Sequence, residues 1–397
     1  MSALSYFLPF ELLSVKGQIS IHSGQGSTLI CIGPFASLFS IARIPCILTI
    51  NFTVAREPIN MIKKLTRVAV LSSVLAAGQA SAFNIVLSND DGWSSDGIQA
   101  MKKALVDSGH SVVLSASLTE QSGSSAAFNT DSLVVVKQRG IEDEGALEYS
   151  VALEPEDEGE PTEGAEPVTA AMLGVNIARD ATGGDPDFVV LGINDGQNLG
   201  AASQLSGTVG AATAAISGAF AGAQIPAIAV STDPPCRPSE GDAGACEDEI
   251  AAQFAKVAQF VAEFIEELAA QTVDGPLMPP GFGVNINYPP GDSVNRATVN
   301  RQGLTFVSGG NVISLQFRCK EDCVAAPKGE PIPGGLGGGG YSAEEVDNAD
   351  TTSNTAGNIT VVAIAPDYTA GSVTERAMTS GYLFNNKLAN VLRAMGY

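Results

Sequence analysis

A recurring unit constrains this chain more than any other feature: a run of apolar residues that passes directly into a polar, glycine-containing turn. Ile85-Val86-Leu87 leads into Ser88-Asn89-Asp90-Asp91-Gly92, and Phe188-Val189-Val190-Leu191 leads into Gly192-Ile193-Asn194-Asp195-Gly196. Strands that are apolar on both faces belong to parallel sheets covered by helices on both sides. Helical spacing lies between them: over Gly97 to Gly109, Ile98, Met101, Leu105 and Val106 share one face and a glycine ends the run. Further strands are expected at Ser111–Ser115, Leu133–Val136, Tyr149–Leu153, Ala227–Val230 and Val284–Asn287. An alanine-rich helix is expected over Thr208–Gly222 and a long amphipathic one over Glu247–Ala270. The alternation predicts an α/β fold with a doubly wound, mostly parallel sheet of Rossmann-like type over residues 83–290. The carboxyl third changes character. Strands around Ala297–Val307 and Val312–Phe317, the glycine run Gly334–Gly340, a strand at Ile359–Ala365 and a closing helix over Glu375–Met395 predict a β-rich extension over residues 291–397. Glu154 to Pro167 is acidic and rich in Gly and Pro, and reads as a solvated loop.

Open α/β sheets place ligands at the carboxyl ends of their strands. Asn89, Asp90 and Asp91 occupy that position after the first strand, and Asn194 occupies it after Phe188–Leu191. Two adjacent carboxylates repel unless a cation lies between them, and oxygen-only donors suit Mg²⁺, Mn²⁺ or Ca²⁺. Asn-Asp-Asp-Gly is equally a composition that turns favour, so these residues alone leave both readings open. A neutral Asn194 oxygen completes a ligand shell without adding charge. Leu205-Ser206-Gly207-Thr208-Val209-Gly210 opens the alanine-rich helix, and free N–H groups at a helix start form an anion site. Ser206 or Thr208 reads equally as a helix cap, and the two readings are compatible, since a cap faces the same pocket. Glu120-Gln121-Ser122-Gly123-Ser124-Ser125 is by itself an ordinary loop.

Residues 61–82 carry the parts of a secretory signal: Lys63, Lys64 and Arg67, then the apolar Val68 to Ala77, then Ala80-Ser81-Ala82. Cleavage is expected between Ala82 and Phe83, directly before the first strand. Residues 1–60 then read as an upstream segment translated from an early start, with Met61 as the true one; a genuine amino-terminal extension is the other reading. Residues 1–82 hold six Lys/Arg against two Asp/Glu, so a formal charge of −22 becomes −26 without them. Such a surface repels nucleic-acid polymers and anionic membranes. From Phe83 onward the cysteines form two close pairs, Cys236/Cys246 and Cys319/Cys323, and His110 is the one histidine. Two local disulfides of an oxidising compartment are expected in preference to zinc. Both pairs lie far from Asp90 in sequence, so reduction is expected to cost stability more than chemistry.

Taken together and in order, these clusters resemble the SurE survival-protein family of metal-dependent nucleotidases and acid phosphatases. The matching pieces are Ser88-Asn89-Asp90-Asp91-Gly92 with Asp96-Gly97-Ile98, Gln121-Ser122-Gly123-Ser124-Ser125, and Pro186-Asp187 through Gly200. Ser206-Gly207-Thr208-Val209, Ile225-Pro226-Ala227-Ile228-Ala229-Val230-Ser231 and Val284-Asn285-Ile286-Asn287-Tyr288-Pro289 follow. The resemblance implies metal ligands Asp90, Asp91, Ser122 and Asn194, of which Asp90, Asp91 and Asn194 are also the catalytic set. It implies phosphate contacts at Ser206, Gly207 and Thr208, with Asn89 and Asn198 bordering the same pocket. It implies a divalent cation, Mg²⁺ or Mn²⁺, a small phosphate-ester substrate, and a homodimer or homotetramer. The implied reaction is hydrolysis of nucleoside 5′/3′-monophosphates; a broad acid phosphatase or short-chain polyphosphatase is the near alternative, and a non-enzymatic metal- or phosphate-binding exported protein the distant one. Ser115-Ala116-Ser117 and Ala165-Glu166-Pro167-Val168-Thr169-Ala170 depart from the family's pattern, and these segments lie near its substrate entrance.

Overall fold

The computed structural model divides into two compact units, Met1–Gly78 and Gln79–Tyr397. The described residues are 16–22, 28–34, 82–130, 133–140, 146–219, 221–237, 243–272, 275–291, 294–308, 311–313, 315–320, 324, 331, 333–338, 345–366 and 375–397. The first unit contributes an antiparallel pair, β1 (Lys16–His22) and β2 (Thr28–Pro34). Residues 61–81, the body of the expected export signal, lie outside the described residues.

The second unit runs β3 (Asn84–Ser88), α1 (Asp96–Asp107), β4 (Ser111–Ser117), β5 (Val134–Gly140), β6 (Ala146–Leu153), α2 (Pro167–Thr182), β7 (Phe188–Asp195), α3 (Gly207–Ser217), β8 (Ala227–Thr232), α4 (Ala243–Ala270) and β9 (Gly283–Tyr288). The carboxyl third adds β10 (Arg296–Asn300), β11 (Phe306–Ser308), β12 (Asn311–Ile313), β13 (Leu315–Cys319), β14 (Gly334–Gly338), α5 (Asp350–Thr355), β15 (Asn358–Ile364) and α6 (Glu375–Ala394). Nine strands form one sheet in the order β10-β15-β9-β8-β7-β3-β4-β6-β5. Its pairs are parallel except β5 with β6 and β9 with β15. The doubly wound, mostly parallel sheet is therefore present, and two strands of the β-rich carboxyl third complete it at one edge. The rest of that third forms two antiparallel ribbons, β11 with β12 and β13 with β14.

Alternation along the strands decides which layer covers which face. Ile85, Leu87, Phe188, Val190, Ile228 and Val230 pack with α1, α4 and α6; Val86, Val189, Leu191, Ala227 and Ala229 pack with α2 and α3. Helix α2 was not evident from apolar spacing, because three alanines and a glycine interrupt the larger apolar residues of its buried face. Gly174 lets it approach the sheet: a Cβ there would lie 2.8 Å from both Ser115 Cβ and Val86 Cγ1. Pro167 begins the helix, where its missing N–H costs nothing, and Gly183 closes it at φ 78°. The strand expected over Ala297–Val307 is broken into β10 and β11. The chain turns at Gly303, whose N–H donates to Asp350 Oδ1 at 2.8 Å. The acidic stretch after β6 is largely exposed, as expected of a solvated loop, and Glu160 pairs with Lys137 at 3.0 Å.

One ion pair is buried between layers: Lys102 Nζ of α1 lies 2.8 Å from Glu148 Oε1 of β6, both side chains under 5% exposed. Removing one partner of a buried pair leaves a charge facing low dielectric. Lys102→Ala, which leaves the Glu148 carboxylate behind, should therefore cost about 3 kcal/mol of stability, read as a lower urea midpoint. A loss within the range of a surface substitution would show that the carboxylate escapes to solvent.

Candidate active site

Strand β3 is the topological switch point. The chain pairs β3 with β4 on one side, then returns to pair it with β7 on the other. The carboxyl ends of β3 and β7 are thus adjacent, which is where a doubly wound sheet opens a crevice. Asp90 and Asp91 leave β3 at this point, and Asn194 and Asp195 end β7 there. The Asp195 N–H donates to Asp91 Oδ2 at 3.0 Å, joining two loops 104 residues apart.

Asp90 turns into the other end of the crevice, against the start of α3. It is 2% exposed and accepts a short hydrogen bond from the Thr208 hydroxyl, reinforced by the Thr208 backbone. Ser206 caps the helix, its Oγ accepting from Val209 N at 3.1 Å. Two glycines make the convergence possible. A Cβ on Gly207 would sit 2.7 Å from Asp90 Oδ2, and one on Gly210 would sit 2.7 Å from Ala126 N. The absence of both side chains lets Asp90 and the loop carrying Ser122 meet the first turn of α3. That loop is tied down by Gln121 N donating to Asp90 O at 2.7 Å. Ser122 itself is exposed, with its N–H held by Glu120 Oε1 at 2.6 Å.

Asn194 is buried, and its amide nitrogen donates to Gly196 O at 2.6 Å. This bond leaves the carbonyl oxygen as the atom free to face a ligand. Asn89 lies on the opposite face of its strand: its amide nitrogen donates to Ser95 Oγ at 2.8 Å, at the start of α1, and its Oδ1 is buried without a partner. Asn198 is held as part of the frame. Its N–H donates to Asn287 Oδ1 at 2.7 Å, its carbonyl accepts from Asn285 at 2.9 Å and Asn287 at 3.1 Å, and its side chain donates to Ser231 Oγ at 2.9 Å. Asp350 fastens the same loop by accepting Gly200 N at 3.2 Å. Asn285, Asn287 and Asp350 are positioning residues that spacing alone did not single out. The signal was present in β9, where two amides alternate with Val284 and Ile286, yet all six residues are buried.

Electrostatically the crevice is poised for a cation. Burial raises the Asp91 carboxyl to about 7, with the neighbouring Asp90 charge adding to it and Asp195 and Glu120 contributing further. Burial also raises Asp90 above the ordinary carboxylate range, against the opposing hydrogen bonds from Thr208. Glu120 is a further acidic neighbour that sequence reasoning left in an unremarkable loop. Among the described residues no three of His, Cys, Asp and Glu converge as a metal cluster. An ion between Asp90 and Asp91 would therefore complete its shell from neutral oxygens such as those of Asn194 and Ser122. Two mutually repelling carboxylates, one buried and one half-buried, with amide and hydroxyl oxygens nearby fit a hard divalent cation.

The family model for "Survival protein SurE" matches residues 85–308, more than half of the chain. The chain belongs to the SurE family. A protein named "5'-nucleotidase SurE" from Nitratidesulfovibrio vulgaris is 33% identical over 208 residues, covering 52% of this chain and 61% of that protein. Another of the same name from Solidesulfovibrio magneticus is 32% identical over 210 residues, covering 52% and 64%. The chain thus spans just under two thirds of the length of these SurE relatives. The crystal structure of the SurE protein from Aquifex aeolicus superposes with a TM-score of 0.50 at 23% identity, covering 75% of this chain and 98% of that one. That likeness is one of fold. The matched segment contains every residue that builds the crevice except Asp350.

Proposed function

We propose that this protein hydrolyses phosphomonoesters, and nucleoside 5′/3′-monophosphates in particular, at the crevice between β3 and β7. The observation that carries this reading is the placement of two mutually repelling carboxylates, buried Asp90 and half-buried Asp91, at the switch point of a sheet whose SurE relatives are named 5'-nucleotidases. Asp90, Asp91, Asn194 and Ser122 would hold a divalent cation, Mg²⁺ or Mn²⁺. Bound there, the ion would polarise the phosphoryl oxygens and lower the pKa of a water for in-line attack. Thr208 fixes the Asp90 carboxylate, the Asp195 N–H fixes Asp91, and the Asn285–Asn287 clasp fixes the loop that follows Asn194. The first turn of α3 would direct the Gly207 N–H and the Ser206 hydroxyl toward developing charge on the phosphoryl oxygens, while Thr208 holds Asp90. Phosphate release from a nucleotide panel and from p-nitrophenyl phosphate, with and without chelator, tests the reading. Chelator-sensitive release that favours nucleotides is expected. Activity indifferent to chelation would overturn it.

One observation favours a broader substrate range. Pro167, which follows the departing residues Ala165-Glu166, packs against Gly207 beside Asp90: a Gly207 Cβ would lie 2.8 Å from Pro167 Cγ. The altered segment therefore borders the site itself. Comparable rates on nucleotides and p-nitrophenyl phosphate are the outcome that would establish a broad acid phosphatase.

Export with cleavage before Phe83 is part of the same proposal, supported by residues 61–82. The Phe83 N–H donates to His110 Nδ1 at 3.4 Å, and the next N–H, of Asn84, donates to Asp187 Oδ2 at 2.8 Å. Cleavage there would set a new ammonium beside a carboxylate and a neutral imidazole, whose pKa burial lowers. Mass spectrometry of the exported protein should find Phe83 as the first residue. Self-association as a homodimer or homotetramer, which membership of the family implies, is part of the same proposal.

A further inference from the structure

The disulfide expected between Cys236 and Cys246 is present, with Cα atoms 5.8 Å apart. Its distance from the site in sequence is not its distance in space. Residues 195–197 at the end of β7 lie along residues 232–237 after β8. Gly196 N donates to Thr232 O at 2.8 Å, Gln197 N donates to Asp233 Oδ1 at 3.1 Å, and Arg237 Nη1 lies 3.6 Å from Asp195 Oδ1. Asp195 is the residue whose N–H holds Asp91. Arg237 therefore stands at the rim of the crevice, one residue from the disulfide. The far end of that disulfide, Cys246, is buried on α4, and α4 is itself held to β8 by Gln253 donating to Thr232 Oγ1 at 2.9 Å.

Asp90, Asp91, Glu120, Asp195 and Asp233 all bring negative charge to this end of the sheet. An anionic ester approaching it is repelled by most of what it meets. A guanidinium is the side chain best matched to phosphoryl oxygens, because its planar fork donates two parallel hydrogen bonds. The Arg237–Asp195 pair is a poor end in itself: at 3.6 Å, with side chains 71% and 45% exposed, an ion pair of this kind contributes little. The guanidinium can thus exchange Asp195 for a ligand at small cost. What an exposed arginine lacks is a fixed starting point, and the neighbouring disulfide provides one.

We propose that Arg237 is a substrate-binding residue that takes the phosphoryl oxygens of the ester, and that the Cys236–Cys246 disulfide holds it at the rim. This rests on the phosphomonoesterase reading above, and the test separates the two. In the metal-loaded full chain, Arg237→Ala should raise KM and the inhibition constant for inorganic phosphate about tenfold, the equivalent of 1.4 kcal/mol, with kcat within about twofold, the sign of lost ground-state binding. Arg237→Lys should recover part of the loss. The double variant Cys236→Ser/Cys246→Ser should raise KM in the same way, and adding Arg237→Ala to it should change little more. Unchanged KM and inhibition constant in Arg237→Ala, or a loss confined to kcat, overturns the assignment. If the wild type releases no phosphate, it is the phosphatase reading that fails. Calorimetric binding of inorganic phosphate to wild type and Arg237→Ala then still decides whether Arg237 holds the anion.

Discussion

Replacing Asp90 with Asn should lower phosphate release by on the order of 10²-fold or more while the fold stays intact. Changing a ligand's outer partner typically costs roughly 10–100-fold in metal affinity or activity, and in the proposed site Asp90 would be the ligand itself. The replacement keeps shape and removes one of the two charges on which affinity for a cation would rest. It also removes a buried charge that nothing neutralises in the metal-free protein, so stability should hold or rise. That combination, activity lost and stability kept, separates a ligand from a structural turn. Gly207→Ala should act on the same atom from the other side, since its Cβ would lie 2.7 Å from Asp90 Oδ2. Asn194→Ala should be milder, because a neutral oxygen contributes less to holding the ion. The measurement is phosphate release at matched folded concentration. Equal rates for wild type and Asp90→Asn would show that the paired aspartates are only a turn.

The second large effect is a stability that depends on pH in the unusual direction. Burial, then the charge of Asp90, raises Asp91 from the ordinary carboxylate value to about 7, and burial raises Asp90 as well. A carboxyl whose folded pKa lies above its unfolded one stabilises the fold fully below the unfolded pKa. It loses that contribution as pH rises through the folded value. The metal-free protein should therefore lose thermal stability between about pH 4 and pH 7 through these groups. A bound cation removes the penalty by favouring both ionised forms. The rise in Tm on adding Mg²⁺ or Mn²⁺ should then be larger at pH 8 than at pH 5, on the order of 2.7 kcal/mol at a hundred times the dissociation constant. Asp91→Asn should flatten the metal-free profile. A metal-induced shift that is greater at pH 5, or a profile unchanged by Asp91→Asn, would rule out a cation between the two carboxylates.

The parts of the fold that were legible in the sequence are those whose physics is local. Ile85-Val86-Leu87 and Phe188–Leu191 are apolar on both faces because helices cover both, and the strand-end rule then put Asp90, Asp91 and Asn194 in one crevice. Helix α2 was less legible, because alanines and Gly174 pack by shape and carry little hydropathy contrast. In β9 the alternation of Asn285 and Asn287 with Val284 and Ile286 suggests a solvent-facing side. Instead the polar side is buried against the Asn198 loop, where its amides satisfy backbone groups that spacing cannot locate. The Cys236–Cys246 loop was expected to lie apart from the chemistry. It lies at the rim, because β7 and β8 are adjacent in the sheet although separated in the chain. Cys319 is disulfide-bonded as well; Cys323, its expected partner, lies outside the described residues.

The position of β3 in the middle of the sheet also governs when the crevice can form. Asp91 meets Asp195 across 104 residues and Asp90 meets Thr208 across 118, with Asp350 reaching back 150 residues to Gly200. Contacts of such sequence separation form only after long loops have closed. No contiguous fragment short of about residue 210 contains the crevice, and none short of Asp350 contains the clasp on its rim. A chain still emerging from a ribosome carries Asp90, Asp91 and Asn194 and assembles none of them. The crevice is thereby a property of the completed sheet, and the activity proposed for it would be acquired only where the chain finishes folding.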